Sequence, residues 1–315
     1  MNCERSTRKP SSKLCPGVAF PRADQRLVGL GLLALEAALL AACVAPGVPA
    51  SPPAEPVLSP PSPRVLKVAH RGGAGLAPEN TLAAFNMGLA HGADFLELDI
   101  HMSKDGQLVV MHDALLERTT NASGEVSDYT AAELAALDAS ARYSGANAPE
   151  RQPVPTLDQV LALAKGRAAV QIEIKLRADK TRYPGIEAKL VELLRAQGML
   201  DDVMVLSFDF PTLQKIKEIE PRLKTCALIS TAYLQGVGRG GPEKVAEEMA
   251  ALGVEYVGVN HTWLSDALLA ALTARGLQVG VWTVNDVETM RKFAAKGVAF
   301  ITSDRPDLLR RVLEP

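Results

Sequence analysis

The sequence lacks the features that mark most nucleic-acid-binding proteins. Aromatic residues make up only 4% of its 315 residues, which leaves little material for base-stacking surfaces. Its 34 lysines and arginines are balanced by 36 aspartates and glutamates, so the formal net charge is −2. No block of basic residues stands out along the chain. We therefore expect no nucleic-acid partner.

Cysteine is also scarce, and its distribution excludes a disulfide within the expected domain. The chain has 4 cysteines, of which Cys3, Cys15 and Cys43 lie in an N-terminal region of different composition. Only Cys226 remains in the part that we expect to fold, so it has no partner there. Because Cys226 lies in the apolar run TCALI, we expect a small core residue rather than a nucleophile.

The N-terminal region predicts export. Basic residues precede an apolar run, LVGLGLLALEAALLAA, at residues 27–42. This is the pattern of a signal peptide, and the run is short for a helix that spans a bilayer. Its end, Leu40-Ala41-Ala42-Cys43, resembles the lipobox of bacterial lipoproteins, which implies cleavage before Cys43 and lipidation of that residue. A plain secretory signal with an incidental cysteine is the alternative.

A proline-rich segment follows Cys43. Residues 43–64 include VAPGVPASPPAEPVLSPPSP, a composition that favours extended, semi-stiff chain over packed helix or sheet. We predict a signal peptide over residues 1–42, a tether over 43–64 and a folded domain over 65–315. The expected location is the periplasm or cell envelope, with attachment to a membrane through a lipid anchor.

Short apolar runs alternate with helical patterns along the expected domain. Strands are predicted at 65–70, 95–101, 170–175, 203–209, 225–229, 256–260, 279–284 and 299–304. Helices are predicted at 80–92, 186–198, 211–220, 243–253, 265–276 and 286–297, with Thr81, Ser265 and Asn285 near helix starts as possible caps. Such alternation over about 250 residues predicts an α/β fold, a (β/α)₈ TIM barrel. An open doubly wound sheet is the alternative, but no G-x-G-x-x-G motif follows the first strand.

One stretch breaks this alternation. Residues 113–155 are too long for a single loop, and we interpret them as an insertion on the catalytic rim with a helix at 130–138. Before it, residues 107–113 are expected to pair with 95–101 as a hairpin, because Asp105-Gly106 is a strong turn signal.

Polar residues cluster at the carboxyl ends of the predicted strands, where barrel enzymes build their active sites. They include His70, Arg71, Glu97, Asp99, His112, Asp113, Glu173, Lys175, Asn285 and Asp304. Since strand side chains alternate between faces, Glu97 and Asp99 share a face, and so do Glu173 and Lys175. Three carboxylates close together need a counter-charge, which one divalent cation, Mg²⁺ or Ca²⁺, would supply. A structural ion-pair network with Lys175 and Arg71 is the alternative.

The two histidines and the arginine suit phosphodiester cleavage. Imidazole titrates near neutrality, so one of His70 and His112 can accept a proton while the other donates one. Arg71 offers a fork of donors to phosphate oxygens.

The sequence resembles the glycerophosphodiester phosphodiesterase family over residues 66–313. The matching motifs are AHRGGAGLAPENTLAAF (69–85), ADFLELDIHMSKDGQLVVMHD (93–113), VPTL (154–157), QIEIK (171–175), WTVN (282–285) and ITSDRPDLL (301–309).

The resemblance implies a role for each matching residue. Glu97, Asp99 and Glu173 would be metal ligands, and His70 and His112 the acid–base pair. Arg71 and Lys175 would bind phosphate, Phe208 and Trp282 would line the pocket, and Glu79 would touch the metal or glycerol. The implied reaction converts a glycerophosphodiester and water to sn-glycerol 3-phosphate and an alcohol. The alternatives are a lysophospholipase D or another phosphodiesterase on the same barrel, with lysophospholipid substrates, and a non-catalytic binding lipoprotein.

Overall fold

The computed structural model describes residues 64–145 and 150–314. The predicted signal peptide, the lipidation site Cys43 and all but the last residue of the predicted tether lie outside the described residues. Within the described ranges, no helix has both the length and the apolar character needed to cross a membrane.

Eight parallel strands form a closed barrel, as the alternating pattern predicts. They are β1 (Leu66–Ala69), β2 (Phe95–Met102), β4 (Ala169–Ile174), β5 (Val203–Ser207), β6 (Lys224–Ile229), β7 (Tyr256–Asn260), β8 (Gln278–Trp282) and β9 (Phe300–Ser303). The strands follow one another around the barrel, and β1 closes it by pairing with both β9 and β2. A ninth strand, β3 (Leu108–Val110), pairs antiparallel with the end of β2. The (β/α)₈ fold and the hairpin are thereby confirmed.

The helices lie between the strands. They are α1 (Leu82–Ala90), α2 (Ala131–Ala135), α3 (Leu157–Ala164), α4 (Ile186–Gln197), α5 (Phe210–Ile219), α6 (Thr231–Gln235), α7 (Pro242–Ala251), α8 (Asp266–Ala274), α9 (Val287–Ala295) and α10 (Pro306–Leu313). The six predicted crossover helices are present with slightly shifted ends, while the sequence patterns did not predict α3, α6 and α10.

Two hydrophobic layers position the strands. The outer layer packs strand residues such as Leu98 and Ile172 beneath the helices. The inner layer fills the barrel with alternate residues, among them Leu206, Cys226 and Phe300. Gly280 makes room for this filling, since a Cβ there would lie 2.1 Å from the Phe300 ring. Cys226 is fully buried in the inner layer, which agrees with a core role.

The rim insertion, residues 113–155, has a small hydrophobic core of its own. Leu116, Val126 and Leu134 pack there against the outward face of β3. Its helix α2 is shorter than the predicted 130–138, and begins after a capping box between Thr130 and Glu133. The described parts of the insertion, residues 113–145 and 150–155, therefore form a packed extension of the rim.

Two of the three suggested caps are confirmed. Thr81 accepts a hydrogen bond from the Ala84 amide at 3.2 Å, and Ser265 caps α8 in the same way. The third suggestion is wrong, because Asp286 rather than Asn285 caps α9. Asn285 lies one residue earlier and turns into the barrel mouth instead.

Candidate active site

Alternation along β2 and β4 brings three carboxylates together at the carboxyl end of the barrel. Glu97 and Asp99 leave β2 on the inner face, and Glu173 lies beside Asp99 in the parallel register. One ligand oxygen from each of the three lies within 4.8 Å of the others. All three residues are buried, with relative exposures of 4%, 0% and 8%. The structure therefore confirms the prediction that these three side chains lie close together.

One ammonium group and two amide donors contact this acidic cluster. Lys175 Nζ lies 2.8 Å from Glu173 Oε1 and 3.1 Å from Asp99 Oδ1. The Arg71 backbone N–H donates to Glu97 at 2.8 Å. Asn80 Nδ2 donates to Asp99 Oδ2 at 2.9 Å. Asn80 has a positive φ of 57°, a conformation that asparagine adopts more readily than most residues.

The pKa values of the cluster reflect burial and mutual repulsion. Burial, with the neighbouring Asp99 and Glu173, raises the pKa of Glu97 to about 7. Burial also raises the pKa of Glu173, with Asp99 adding and Lys175 opposing. Burial acts in the same direction on Asp99, but Lys175, His112 and Arg71 outweigh it and hold the pKa of Asp99 below its usual range. The nearby cations therefore compensate only part of the negative charge.

The donor set fits a divalent cation. Three buried carboxylates that resist joint ionisation are an oxygen-ligand site of the kind that hard cations favour. Among the described residues, Asp99 Oδ1 is buried and its 3.1 Å ion pair with Lys175 Nζ does not have the geometry of a hydrogen bond, so this oxygen can also accept an ion. The residues present thus could hold a divalent metal.

The ring of His70 is held by a carboxylate at Nδ1. Its Nδ1 lies 2.6 Å from Asp304 Oδ1, and its Nε2 lies 4.0 Å from Glu97. Asp304 is itself fixed by Asn285, whose Nδ2 donates at 2.6 Å and whose Oδ1 accepts from the Asp304 amide. Burial lowers the pKa of His70, but Glu97 and the Asp304 hydrogen bond outweigh burial and raise it above its usual value.

The ring of His112 is also held by a carboxylate at Nδ1. Its Nδ1 lies 2.6 Å from Asp113 Oδ1. Burial lowers its pKa, and the positive charges of Lys175 and Arg71 act in the same direction, although Asp99 and Asp113 oppose them. Both histidines therefore have Nδ1 tied to a carboxylate, which leaves each Nε2 available for proton transfer.

A tight turn after β1 places His70 and Arg71. Residues His70–Gly72 form a tight, non-helical turn in which Arg71 has a φ of 49° and Gly72 a φ of 85°. The turn packs directly on the helix α1 backbone, because a Cβ at Gly72 would lie 2.6 Å from the Phe85 nitrogen. Glycine is the residue that meets both demands. The H-R-G part of the motif is therefore a requirement of the backbone as well as of the chemistry.

Glu79 lies at the edge of the site between two arginines. It accepts from Arg71 at 2.8 Å and from Arg118 at 2.7 Å and 2.8 Å. Burial raises the pKa of Glu79, but Arg118 and Arg71 outweigh burial and lower it. Arg118, from the rim insertion, also hydrogen-bonds Asp113. Sequence reasoning did not identify Arg118, which links Glu79 to Asp113, the carboxylate that hydrogen-bonds His112.

A third histidine, His101, is buried behind His112. Its Nε2 lies 3.1 Å from the His112 carbonyl oxygen, and its Nδ1 lies 3.0 Å from the Tyr183 hydroxyl. Burial lowers the pKa of His101 to about 4, so the ring is neutral at pH 7. Because a carbonyl oxygen only accepts, Nε2 carries the proton and Nδ1 accepts from Tyr183. His101 thus holds the chain at His112 in place.

A cavity of ≈ 180 Å³ opens between these groups. His70, His112 and the carboxylates Glu97 and Glu173 lie on one side. Phe208 and Trp282 form a wall, with their rings packed edge to face at 5.6 Å. The structure therefore brings all the predicted catalytic, phosphate-binding and wall residues to one cavity, with Asp99 behind it and Glu79 at its edge.

Comparisons with known proteins agree with this geometry. Residues 70–308 match the model of the "Glycerophosphoryl diester phosphodiesterase family". A glycerophosphodiester phosphodiesterase from Caldanaerobacter subterraneus is 33% identical over 246 residues, which cover 78% of this chain and 96% of the relative.

Two solved structures show the same relationship. The glycerophosphodiester phosphodiesterase from Agrobacterium tumefaciens is 32% identical, with a TM-score of 0.66 over 79% of this chain and 100% of its own. A phosphodiesterase from Oleispira antarctica, solved with the product sn-glycerol-3-phosphate, is 25% identical, with a TM-score of 0.68 over 79% of this chain and 97% of its own. The chain therefore belongs to the glycerophosphoryl diester phosphodiesterase family and is an enzyme of that class.

Proposed function

We propose that the enzyme hydrolyses glycerophosphodiesters to sn-glycerol 3-phosphate and an alcohol by acid–base catalysis with His70 and His112. The observation that carries this proposal is the pair of histidines on one cavity, each with Nδ1 at 2.6 Å from a carboxylate. The product complex of the Oleispira antarctica relative supports the identity of the product.

The two proton transfers have an assigned direction. His112, whose pKa is lowered, is neutral at pH 7; it donates Nδ1–H to Asp113 and accepts the nucleophile's proton at Nε2. His70, whose pKa is raised, donates Nε2–H to the departing alkoxide. Asp304 stabilises the protonated ring through its hydrogen bond to Nδ1. One phosphorus–oxygen bond to the alcohol breaks, and one to the nucleophile forms.

The phosphate is held by cationic donors. Among the described residues, Arg71 Nε is buried and makes no hydrogen bond, although it lies 3.6 Å from Asp99 Oδ2; we infer that it donates to a phosphate oxygen when substrate binds. Lys175 supplies a second positive charge from β4, and burial opposes but does not prevent a raised pKa there, because Asp99 and Glu173 outweigh it. The indole N–H of Trp282 is also buried without a partner in the described part of the chain. It offers the substrate a donor from the aromatic wall.

Glu97, Asp99 and Glu173 would hold one divalent cation, Mg²⁺ or Ca²⁺. When bound, the cation neutralises negative charge on the phosphoryl group. The carboxylates' own contribution is to keep three ligand oxygens converged within 4.8 Å in a buried site, where Lys175 and Asn80 fix their orientation.

The proposal is tested with glycerophosphocholine as substrate and glycerol 3-phosphate as the measured product; a lysophospholipid, from which hydrolysis would release the headgroup alcohol and leave an acylated glycerol phosphate, tests the lysophospholipase D alternative. We expect His70→Ala and His112→Ala each to reduce kcat by about 10²–10⁴, the usual contribution of a general acid or base. His91→Ala is the matched control, because His91 ends α1 outside the site. Full activity in either active-site variant would contradict the assignment.

We also propose that the enzyme is exported and anchored to a membrane through lipidated Cys43. The support is the sequence alone: the apolar run at 27–42, the lipobox-like end and the proline-rich tether. Cys43→Ser is expected to release the protein from the membrane fraction, and recovery of the wild-type protein in the cytoplasm would refute the proposal.

A further inference from the structure

A second, larger groove continues outward from the catalytic cavity. It has a volume of ≈ 420 Å³ and shares His112, Glu173, Lys175 and Phe208 with the cavity. Its outer walls are the start of the rim insertion on one side and the loop after β4 on the other. Because the inner cavity holds the catalytic groups in ≈ 180 Å³, the outer groove is the space left for the alcohol half of a diester.

The carboxylates that line the groove are already engaged. Asp113 pairs with His112 and Arg118. Glu173 belongs to the acidic cluster. Asp209 caps α5, accepting from the Thr212 backbone at 3.1 Å and from its hydroxyl at 2.9 Å. None of these carboxylates is therefore free to attract a positive charge in the groove.

Two cations of the groove are not engaged in the same way. Lys180 is exposed and has no carboxylate within ion-pair distance among the described residues. Arg177 makes long polar contacts to Ser127 at 3.5 Å and Glu125 at 3.9 Å, and its guanidinium lies over the Tyr183 ring, 5.9 Å from the centroid. In the described ranges its Nε is buried and has no hydrogen-bond partner. An anion in the groove would give both side chains a partner.

The backbone of this loop holds the two cations on one tight turn. The Lys180 amide donates to the Arg177 carbonyl at 2.9 Å, and the Arg177 amide donates to the Thr181 carbonyl at 2.9 Å. Lys180 has a φ of 68°, a conformation that favours glycine and is uncommon for lysine. Backbone strain of this kind is often found at binding sites.

We propose that this groove binds the alcohol half of the substrate and selects alcohols that carry an anionic group, such as a phosphate, over uncharged or cationic alcohols. The inference rests on the proposed hydrolysis of glycerophosphodiesters. Arg177 and Lys180 are then specificity-determining residues, and they take no part in the bond-breaking step.

A matched pair of substrates tests the inference. Glycerophosphoinositol and glycerophosphoinositol 4-phosphate differ by one phosphate on the alcohol, and glycerophosphocholine adds a cationic alcohol. We expect kcat/KM to be about fivefold higher for the phosphorylated inositol than for the unphosphorylated one, since exposed charge pairs are individually weak. The preference should shrink at 0.5 M salt, because screening acts on the exposed Lys180.

Two variants assign the preference to the loop. Lys180→Gly removes the charge with a residue that favours this φ, so folding should be retained. Arg177→Gln removes the other charge. Each is expected to reduce the substrate ratio about twofold and to leave kcat/KM for glycerophosphoinositol nearly unchanged. Lys224→Gln is the control of equal charge change, because Lys224 is exposed at the amino-terminal start of β6.

The outcomes separate the two proposals. Hydrolysis of all three substrates without preference for the anionic alcohol, or a ratio unchanged in both loop variants, would overturn the inference while the proposed function stands. Failure to hydrolyse any of the three would overturn the proposed function and this inference with it.

Discussion

Asp304→Asn is the most informative single change, because it removes one charge and keeps the shape of the side chain. Asp304 Oδ1 lies 2.6 Å from His70 Nδ1, and Oδ2 accepts from Asn285 Nδ2 at 2.6 Å. An amide must turn its NH₂ group toward one of these two neighbours. If the NH₂ group faces Asn285, it faces another donor, the Asn285 Nδ2. If it faces His70, Nδ1 must accept its hydrogen bond, so the ring carries its proton on Nε2.

The expected loss follows from this conflict. With the imidazole in the wrong tautomer or without a carboxylate behind it, most of the contribution of His70 is lost, so kcat should fall by about 10²–10³. The Asp304 hydrogen bond raises the pKa of His70, so its removal lowers that pKa. Because the proposed role of His70 as general acid requires its protonated form, we expect activity to be lost above its pKa. The alkaline limb of the pH–rate profile should therefore move to lower pH.

The assay is glycerol 3-phosphate release from glycerophosphocholine across pH 5 to 10. Asp286→Asn is the control: Asp286 lies in the same loop as Asn285 but caps α9, and asparagine caps nearly as well as aspartate. An unchanged kcat and an unmoved alkaline limb in Asp304→Asn, with normal folding, would refute the role of Asp304 as the positioning residue of His70.

Two further predictions concern stability. Gly72→Ala should lower the free energy of unfolding by more than about 2 kcal/mol, because the new Cβ would lie 2.6 Å from the Phe85 nitrogen. Gly92→Ala is the control: no atom lies within 4 Å of its new Cβ, so it should cost only about 1 kcal/mol. Equal losses for the two variants in urea unfolding would contradict this expectation. His101, with a pKa of about 4 when folded and about 6.5 when unfolded, takes up a proton more readily in the unfolded chain. The free energy of unfolding should fall as pH drops from about 6.5 to 4, by about 3 kcal/mol from this group, and His101→Gln should remove that part of the slope.

The barrel and its acidic cluster were predictable for a shared reason. Parallel strands buried on both faces appear as short apolar runs, and a closed barrel brings their carboxyl ends together. Glu97, Asp99 and Glu173 interrupt such runs on the inward face, so their convergence follows from topology and alternation alone. Neither step needs the details of side-chain packing.

The supporting contacts were not predictable in the same way. Arg118 reaches Glu79 from a position 39 residues away, and Asp304 reaches His70 across 234 residues. Such pairings depend on how the rim loops fold, which no local pattern records. The sequence pattern places Asn285 both at the carboxyl end of a strand and near a helix start, because the residue types of caps and of active-site supports overlap.

Helix α3 is a miss of another kind, since a local signal was present. Thr156 and Gln159 form a capping box just before an apolar stretch, which is a recognised helix start. The short length of the helix, Leu157–Ala164, and its position after the long insertion obscured that signal.

We propose that one divalent cation on Glu97, Asp99 and Glu173 supports hydrolysis to sn-glycerol 3-phosphate. The most direct test is a titration of chelator-treated, dialysed enzyme with Mg²⁺ or Ca²⁺, in which metal content and glycerol 3-phosphate release are measured on the same samples. We expect activity to appear with one bound ion per chain, and Glu173→Gln, which removes one carboxylate charge at constant shape, to abolish both metal binding and activity. Full activity in metal-free enzyme, or unchanged metal binding in Glu173→Gln, would contradict it.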